Sequence, residues 1–195
     1  MGGKLTKAKQ KKMESKTNSF WILVTCICVI AVHHQANAEE PLTGKELIQS
    51  VCKTRGNDEL CEQVLMSDPT SEHANLQDLA MIVLKAAAEN ASGILVDAKK
   101  MIDDPFVEPT IQQGLADCKE NLLDAESQIQ DTVASILSND KLDAQLWLKA
   151  ALAAIDTCDD SIPGDDDILS RRSVTFRQLC NIAVAINKKM MGITA

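Results

Sequence analysis

The chain has 195 residues, 28 Asp and Glu against 20 Lys and Arg, a net charge of −8, and only 3% of it is aromatic. That acidity argues against nucleic acid or an anionic polysaccharide as a direct ligand, since both would be repelled. Two Trp, three Phe and no Tyr leave too few rings for a stacking platform or for the aromatic-rich strands of a sandwich.

The first 38 residues read as a secretory signal peptide. Lys4, Lys7, Lys9, Lys11, Lys12 and Lys16 form a basic head, Phe20 to Val32 an uncharged apolar run, and Ala36-Asn37-Ala38 an A-x-A cleavage site. The run is short for a membrane span, and no later segment is expected to be long and apolar enough to cross a bilayer. A start at Met13 gives a leader of ordinary length. Met1-Gly2-Gly3-Lys4-Leu5-Thr6 also fits a myristoylation pattern, but that reading leaves the apolar run and the cleavage site unexplained. Residues 39–195 then form the mature protein, with 14 Lys and Arg, 27 Asp and Glu, and a net charge of −13.

Within it, residues 39–70 read as a helical hairpin, Thr43 to Lys53 and Asp58 to Met66 around a turn at Gly56-Asn57. Four long helices follow over 71–195. The first is expected from Glu72 to about Asp103, with a stripe of Leu76, Leu79, Val83, Ala87, Ile94, Ala98 and Met101. Asp103-Asp104-Pro105 stops it, because the residue before a proline avoids the helical region. The second opens at Pro109, a good first-turn residue, and carries Ile111, Leu115, Cys118, Leu122, Ala125, Ile129, Val133 and Ile136 at spacings of four and three. After Ser138-Asn139-Asp140 the third runs from about Leu142 to Ser161, with Trp147, Ala151, Ile155 and Cys158 on one face. A loop containing Asp165, Asp166 and Asp167 leads to the fourth, Ile168 to about Met190, with Leu169, Phe176, Leu179, Ala183, Ile186 and Met190 in register. Short connections between four such helices predict an all-α, up-down-up-down four-helix bundle.

Five cysteines remain after the leader departs, and in an oxidising compartment two bridges and one free thiol are expected. Gly56-Asn57 is the midpoint of Cys52 and Cys61, and Ser138 that of Cys118 and Cys158. Residues equidistant from a turn between antiparallel helices stand at the same height, so the predicted bridges are Cys52–Cys61 and Cys118–Cys158. Cys180 is left as a buried free thiol.

Catalytic machinery is not legible. The mature chain has one histidine, His73, with no partner at ligand spacing, so no zinc site is readable. There is no G-x-S-x-G, H-E-x-x-H or phosphate-binding glycine loop. The aspartates around Cys158 and at 165–167 lack the EF-hand pattern, so neither metal nor cofactor is expected, and the chain is read as a non-enzyme. Asn90-Ala91-Ser92 is an N-glycosylation sequon lying close to the buried stripe.

Several segments resemble one family. Cys52 and Cys61 as C-x8-C, Leu-Met-Ser-Asp-Pro at 65–69, Cys118, Lys-Ala-Ala-Leu-Ala-Ala-Ile-Asp-Thr-Cys-Asp-Asp at 149–160 and Leu-Cys-Asn-Ile-Ala-Val-Ala-Ile at 179–186 are similar to the plant pectin methylesterase inhibitors and invertase inhibitors. The resemblance covers essentially the whole mature chain. It implies the same two bridges, export to the cell wall or apoplast, and a one-to-one complex in which the bundle blocks an enzyme's active-site cleft without binding the polysaccharide itself. Invertase inhibitors often carry Pro-Lys-Phe at the start of the third bundle helix, where this chain has Asp140-Lys141-Leu142-Asp143. Pectin methylesterase is therefore the favoured target and acid invertase the alternative, with a non-inhibitory secreted binding bundle as a third reading. Asp156, Thr157 and Asp160 are the candidate partner contacts.

Overall fold

A computed structural model of the chain describes residues 42–53, 58–164 and 168–193. The proposed leader, the turn at Gly56-Asn57 and the aspartates at 165–167 lie outside the described residues. The ordered elements are α1 (Gly44–Cys52), α2 (Asp58–Ser67), a 3₁₀ turn (Pro69–His73), α3 (Leu76–Ile102), α4 (Pro109–Leu137), α5 (Lys141–Ser161) and α6 (Ile168–Met190). No strand occurs among the described residues.

α1 and α2 are tied by a disulfide between Cys52 and Cys61, with Cα atoms 5.5 Å apart. Leu47, Ile48 and Val51 of α1 and Leu65 of α2 are buried. Gly44 opens α1 with φ +57°, and a Cβ there would run into the backbone carbonyl of Glu72. Only a glycine lets the 3₁₀ turn close so tightly on the hairpin.

The first bundle helix starts later than the expected Glu72. Asp68 caps the 3₁₀ turn by accepting from the Thr70 amide (2.9 Å), and Ala74 is extended. The true cap is Asn75: its Oδ1 accepts from the Gln77 and Asp78 amides, and the Asp78 carboxylate accepts from the Asn75 amide at 3.0 Å. This reciprocal box satisfies amides that a helix end otherwise leaves orphaned. At the other end Gln112 Nε2 donates to the carbonyls of Ile102 (3.2 Å) and Asp104 (2.8 Å), closing α3 onto the first turn of α4.

α4 ends where the turn signal lies. Asn139 takes φ +61°, its amide donates to the Ile136 carbonyl (3.0 Å) and the Asp140 amide to Ser135 (2.8 Å), a Schellman arrangement. Asp140 then caps α5 by accepting from the Asp143 amide at 3.1 Å. α5 is joined to α4 by the Cys118–Cys158 disulfide.

Each long helix packs on its two sequence neighbours or, for α3 and α6, on each other, which closes the up-down-up-down ring. The hairpin lies against α3 and α6. The core is filled by Leu79, Val83, Ile94, Leu115, Leu122, Ile129, Leu148, Ile155, Leu169 and Phe176, all essentially inaccessible. Each contributes about 1.5–3 kcal/mol of burial. Within α5 the inward row is Ala144, Leu148, Ala151, Ile155 and Cys158. Trp147, expected on that face, is only half-buried, because packing in the bundle turns Leu148 inward in its place.

α3 also departs from the expectation about membranes. It is 27 residues long and its most apolar 18-residue stretch has a mean hydropathy of 1.5, which makes it long and apolar enough to cross a bilayer. Here its apolar stripe is the bundle's core, and that composition is what a central helix of a four-helix bundle requires.

Candidate functional site

The sequence-predicted contacts lie together on the C-terminal half of α5. Asp156, Thr157 and Asp160 are all exposed, while Cys158 between them faces inward. Their states differ. The Thr157 hydroxyl donates to the Ala153 carbonyl at 2.9 Å. Asp160 forms no hydrogen bond or ion pair among the described residues. Asp156 is engaged by Arg177 of α6, whose Nε donates to Asp156 Oδ1 at 2.7 Å.

The same guanidinium reaches Asp159 Oδ2 at 2.6 Å, and the buried Ser173 hydroxyl donates to Asp159 Oδ1 at 2.8 Å. One arginine thus clips two successive turns of α5 to α6. Its partial burial works against the charge, but the hydrogen bonds to Asp156 and Asp159 outweigh that and hold its pKa above the ordinary guanidinium value. The arrangement fixes the Asp156 carboxylate before any partner arrives.

Next to this cluster α4 presents Asp117, Glu120, Asp124 and Ser127 to solvent. The α4–α5 face is therefore acidic along one helix and mixed along the other. On the N-terminal half of α5 sequence reasoning missed Leu142 and Leu146, which are 76% and 57% exposed and one turn apart. Neither belongs to the row of Trp147, Ala151, Ile155 and Cys158 read from the sequence, and that was the available signal. Phe106, in the α3–α4 connection, is 93% exposed and was also missed. The three residues Pro105-Phe106-Val107 between Asp104 and Glu108 are too short a stretch to give a periodicity.

The start of α5 is held from the other side. Lys141 Nζ donates to the Met190 carbonyl (2.9 Å), and the buried Asn187 Nδ2 donates to the Lys141 carbonyl (2.8 Å). The cation of the Asp-Lys-Leu-Asp segment is thereby turned onto α6.

The remaining residues singled out in the sequence carry no chemistry. His73 is exposed at the end of the 3₁₀ turn. Cys180 is fully buried, and that burial pushes its thiol up to about 12, far from a nucleophilic thiolate. No cluster of three metal-ligating side chains occurs among the described residues. The Asn90 side chain is half-buried with its Oδ1 enclosed and unpartnered, and the Ser92 hydroxyl donates to Glu126 across to α4 at 2.6 Å.

The described residues form a helical bundle held by two bridges, with exposed carboxylates along α4 and a mixed surface along α5. Comparison with known proteins gives the family. The model for plant invertase/pectin methylesterase inhibitors matches residues 46–186, and the chain belongs to that family. A Platanus orientalis protein named "Putative invertase inhibitor" is 29% identical over 156 residues, covering 75% of this chain and 91% of the relative. A "Pectinesterase inhibitor" of Actinidia deliciosa is 27% identical over 152 residues, covering 75% and 80%. The crystal structure of a mutant form of a pectin methylesterase inhibitor from Arabidopsis superimposes with a TM-score of 0.63 at 25% identity, over 72% of this chain and 95% of that one. Members of the family are inhibitors, not enzymes, and this chain is a pectinesterase/invertase inhibitor at that level.

Proposed function

We propose that the chain inhibits a pectin methylesterase by laying its α4–α5 face over the enzyme's active-site cleft, in a one-to-one complex that excludes pectin. The observation that carries the choice of target is the first turn of α5. Asp140 caps it, Leu142 stands where invertase inhibitors often have Phe, and Lys141 is spent on the Met190 carbonyl rather than offered to a partner. The acidic face suits a basic wall-bound esterase, since complementary charge speeds encounter. Bridges and caps pre-order the surface, so little side-chain and backbone freedom is lost on binding.

Inhibition of acid invertase is the second reading, favoured by the 29% identity to the Platanus protein. Titration of the mature protein into both enzyme assays decides between them. Inhibition of the esterase alone supports the proposal, inhibition of invertase alone reverses it, and inhibition of neither removes the inhibitor reading.

Export to the apoplast is part of the proposal. A basic head, an apolar run and Ala-x-Ala precede a domain with two disulfides, and such bridges persist in oxidising compartments. Mass spectrometry of the mature protein should find Glu39 at its N-terminus. An acylated Gly2 would place it on a membrane instead.

A further inference from the structure

α6 ends in a second Schellman turn. Gly192 has φ +73°, its amide donates to the Lys189 carbonyl and that of Ile193 to the Lys188 carbonyl, both at 3.0 Å. The turn folds Ile193 back along the helix, where it borders two lobes of one groove. The larger, about 560 Å³, opens between α6 and α1 over Val51, Val184 and Ile193, with Lys53, Lys188 and Lys189 at its edge. The smaller, about 380 Å³, lies between α5 and α6 and shares Val184, Lys188 and Ile193, adding Lys149, Leu152 and Gln145.

Among the described residues, the charge around this groove is opposite in sign to the net charge of residues 39–195. No Asp or Glu is among the described residues lining either lobe. None of the four lysines forms an ion pair among the described residues. Lys189 is held only by Ser50, at 3.1 Å from its hydroxyl. Lys188 and Lys189 also suit the negative end of the α6 dipole, but Lys53 and Lys149 come from other elements. The Gln145 Oε1 is buried without a partner at the smaller lobe; as an acceptor it offers nothing to an anionic headgroup, which leaves the lysines as the charged end of the groove.

We propose that this groove binds a single-chain anionic amphiphile, a long-chain carboxylate whose tail lies on Val51, Val184 and Ile193 while its headgroup meets Lys188 and Lys189. A concave apolar floor of several hundred Å³ with a few placed polar groups is the usual form of a small-molecule site. The size of the ligand follows from the charge map. Fields decay over about 10 Å at ordinary ionic strength, so a small monoanion senses the four lysines. A polyanion or an acidic protein surface would extend onto the carboxylates that dominate elsewhere. The site lies at the opposite half of α5 from Asp156, Thr157 and Asp160, so it stands or falls independently of the inhibitor reading.

The test is titration of dodecanoate, below its micelle-forming concentration, into the disulfide-intact mature protein, followed by calorimetry and amide chemical shifts. Saturable one-to-one binding is expected, with the largest shifts at Val51, Val184, Lys188 and Ile193. Dodecyltrimethylammonium, with the same tail and opposite charge, and butyrate, with the same head and little tail, should each bind at least about tenfold more weakly. The double variant Lys188→Glu/Lys189→Glu should also lose about tenfold or more, and Lys149→Glu, which leaves the Ser50 contact intact, should weaken binding in the same direction. Lys99→Glu/Lys100→Glu, on α3, should have no effect. Absence of saturation, equal binding of the cationic amphiphile, shifts that map elsewhere, or indifference to both groove variants would overturn the proposal.

Discussion

Gly114, in the second turn of α4, lies against the carbonyl of Ser161 at the end of α5, and the Ser161 hydroxyl donates back to the Gly114 carbonyl at 3.0 Å. The helices meet here because one of them has no side chain. A methyl at 114 would strike the Ser161 carbonyl and sit about 3 Å from Ile162 and Pro163, which are backbone and ring atoms with little room to yield. Gly114→Ala should therefore destabilise the protein by about 1–3 kcal/mol, although alanine ordinarily gains around 1 kcal/mol in a helix. Gly93→Ala is the control. Its methyl would meet only the Arg172 guanidinium end, which can swing aside, so the substitution should be near neutral or stabilising. Urea titrations of the two variants check the contrast.

Replacing Arg177 should loosen α6 from α5. Arg177→Met keeps much of the aliphatic stem and removes both short ionic hydrogen bonds, leaving Asp159 half-buried and held only by Ser173. A loss of about 1–2 kcal/mol is expected, because the pair is partly exposed. The loss should shrink in high salt. Asp156→Asn/Asp159→Asn in the same background should then cost little more, which a double-mutant cycle by thermal unfolding would reveal.

The Cys180 thiol should be silent in the native protein. Burial lifts its pKa from the ordinary 9.0 to about 12. Below pH 9 both folded and unfolded states hold the proton, so the stabilisation is fully present. Between pH 9 and about 12 only the unfolded state releases it, so stability falls as pH rises through that window. Alkylation at pH 8 should follow global unfolding and rise steeply with urea. Rapid labelling of the folded protein in buffer would show that the site opens locally.

If α4–α5 is the inhibitory face, Thr157→Arg and Asp160→Lys should weaken inhibition by about tenfold or more while leaving the melting temperature within a few degrees of wild type. Phe106→Ala, in the α3–α4 connection, serves as a comparison away from the α5 cluster. An unchanged inhibition constant in both α5 variants would move the interface off this face.

Asn90 should escape glycosylation in the folded protein. It lies within α3, with Asn75 the helix cap far behind it, its Oδ1 is enclosed, and Ser92 of the sequon is bound to Glu126. A glycan would require that stretch of α3 to be extended during synthesis. Glycosidase treatment of the secreted protein should give no gel shift.

Much of this architecture could be read before any coordinates. Cysteine pairing followed from turn midpoints, because antiparallel helices turn sequence distance into height. The rows on α3, α4 and α6 followed from spacing alone. Trp147 shows where spacing runs out. Both 147 and 148 fit an inward row with 151 and 155, and only packing against α4 and α6 breaks the tie. The start of α3 falls later than Glu72 because residues 69–73 form a separate 3₁₀ turn and Asn75 caps the helix itself, a break that the helical periodicity does not announce. Within the candidate site, exposure of Asp156, Thr157 and Asp160 was legible from the helix phase. The Arg177 clip was not, since it joins residues 21 positions apart through the choice of neighbouring helices.

Neither sulfur bridge encloses the other. Each links adjacent elements, across nine residues in the hairpin and forty between α4 and α5. An emerging chain can therefore close the first before the second pair has been made, and neither closure has to wait for a distant segment. Cys180, on α6, joins neither bridge and is buried in the folded bundle. Packing of α6 therefore shields the fifth sulfur from exchange with either closed pair.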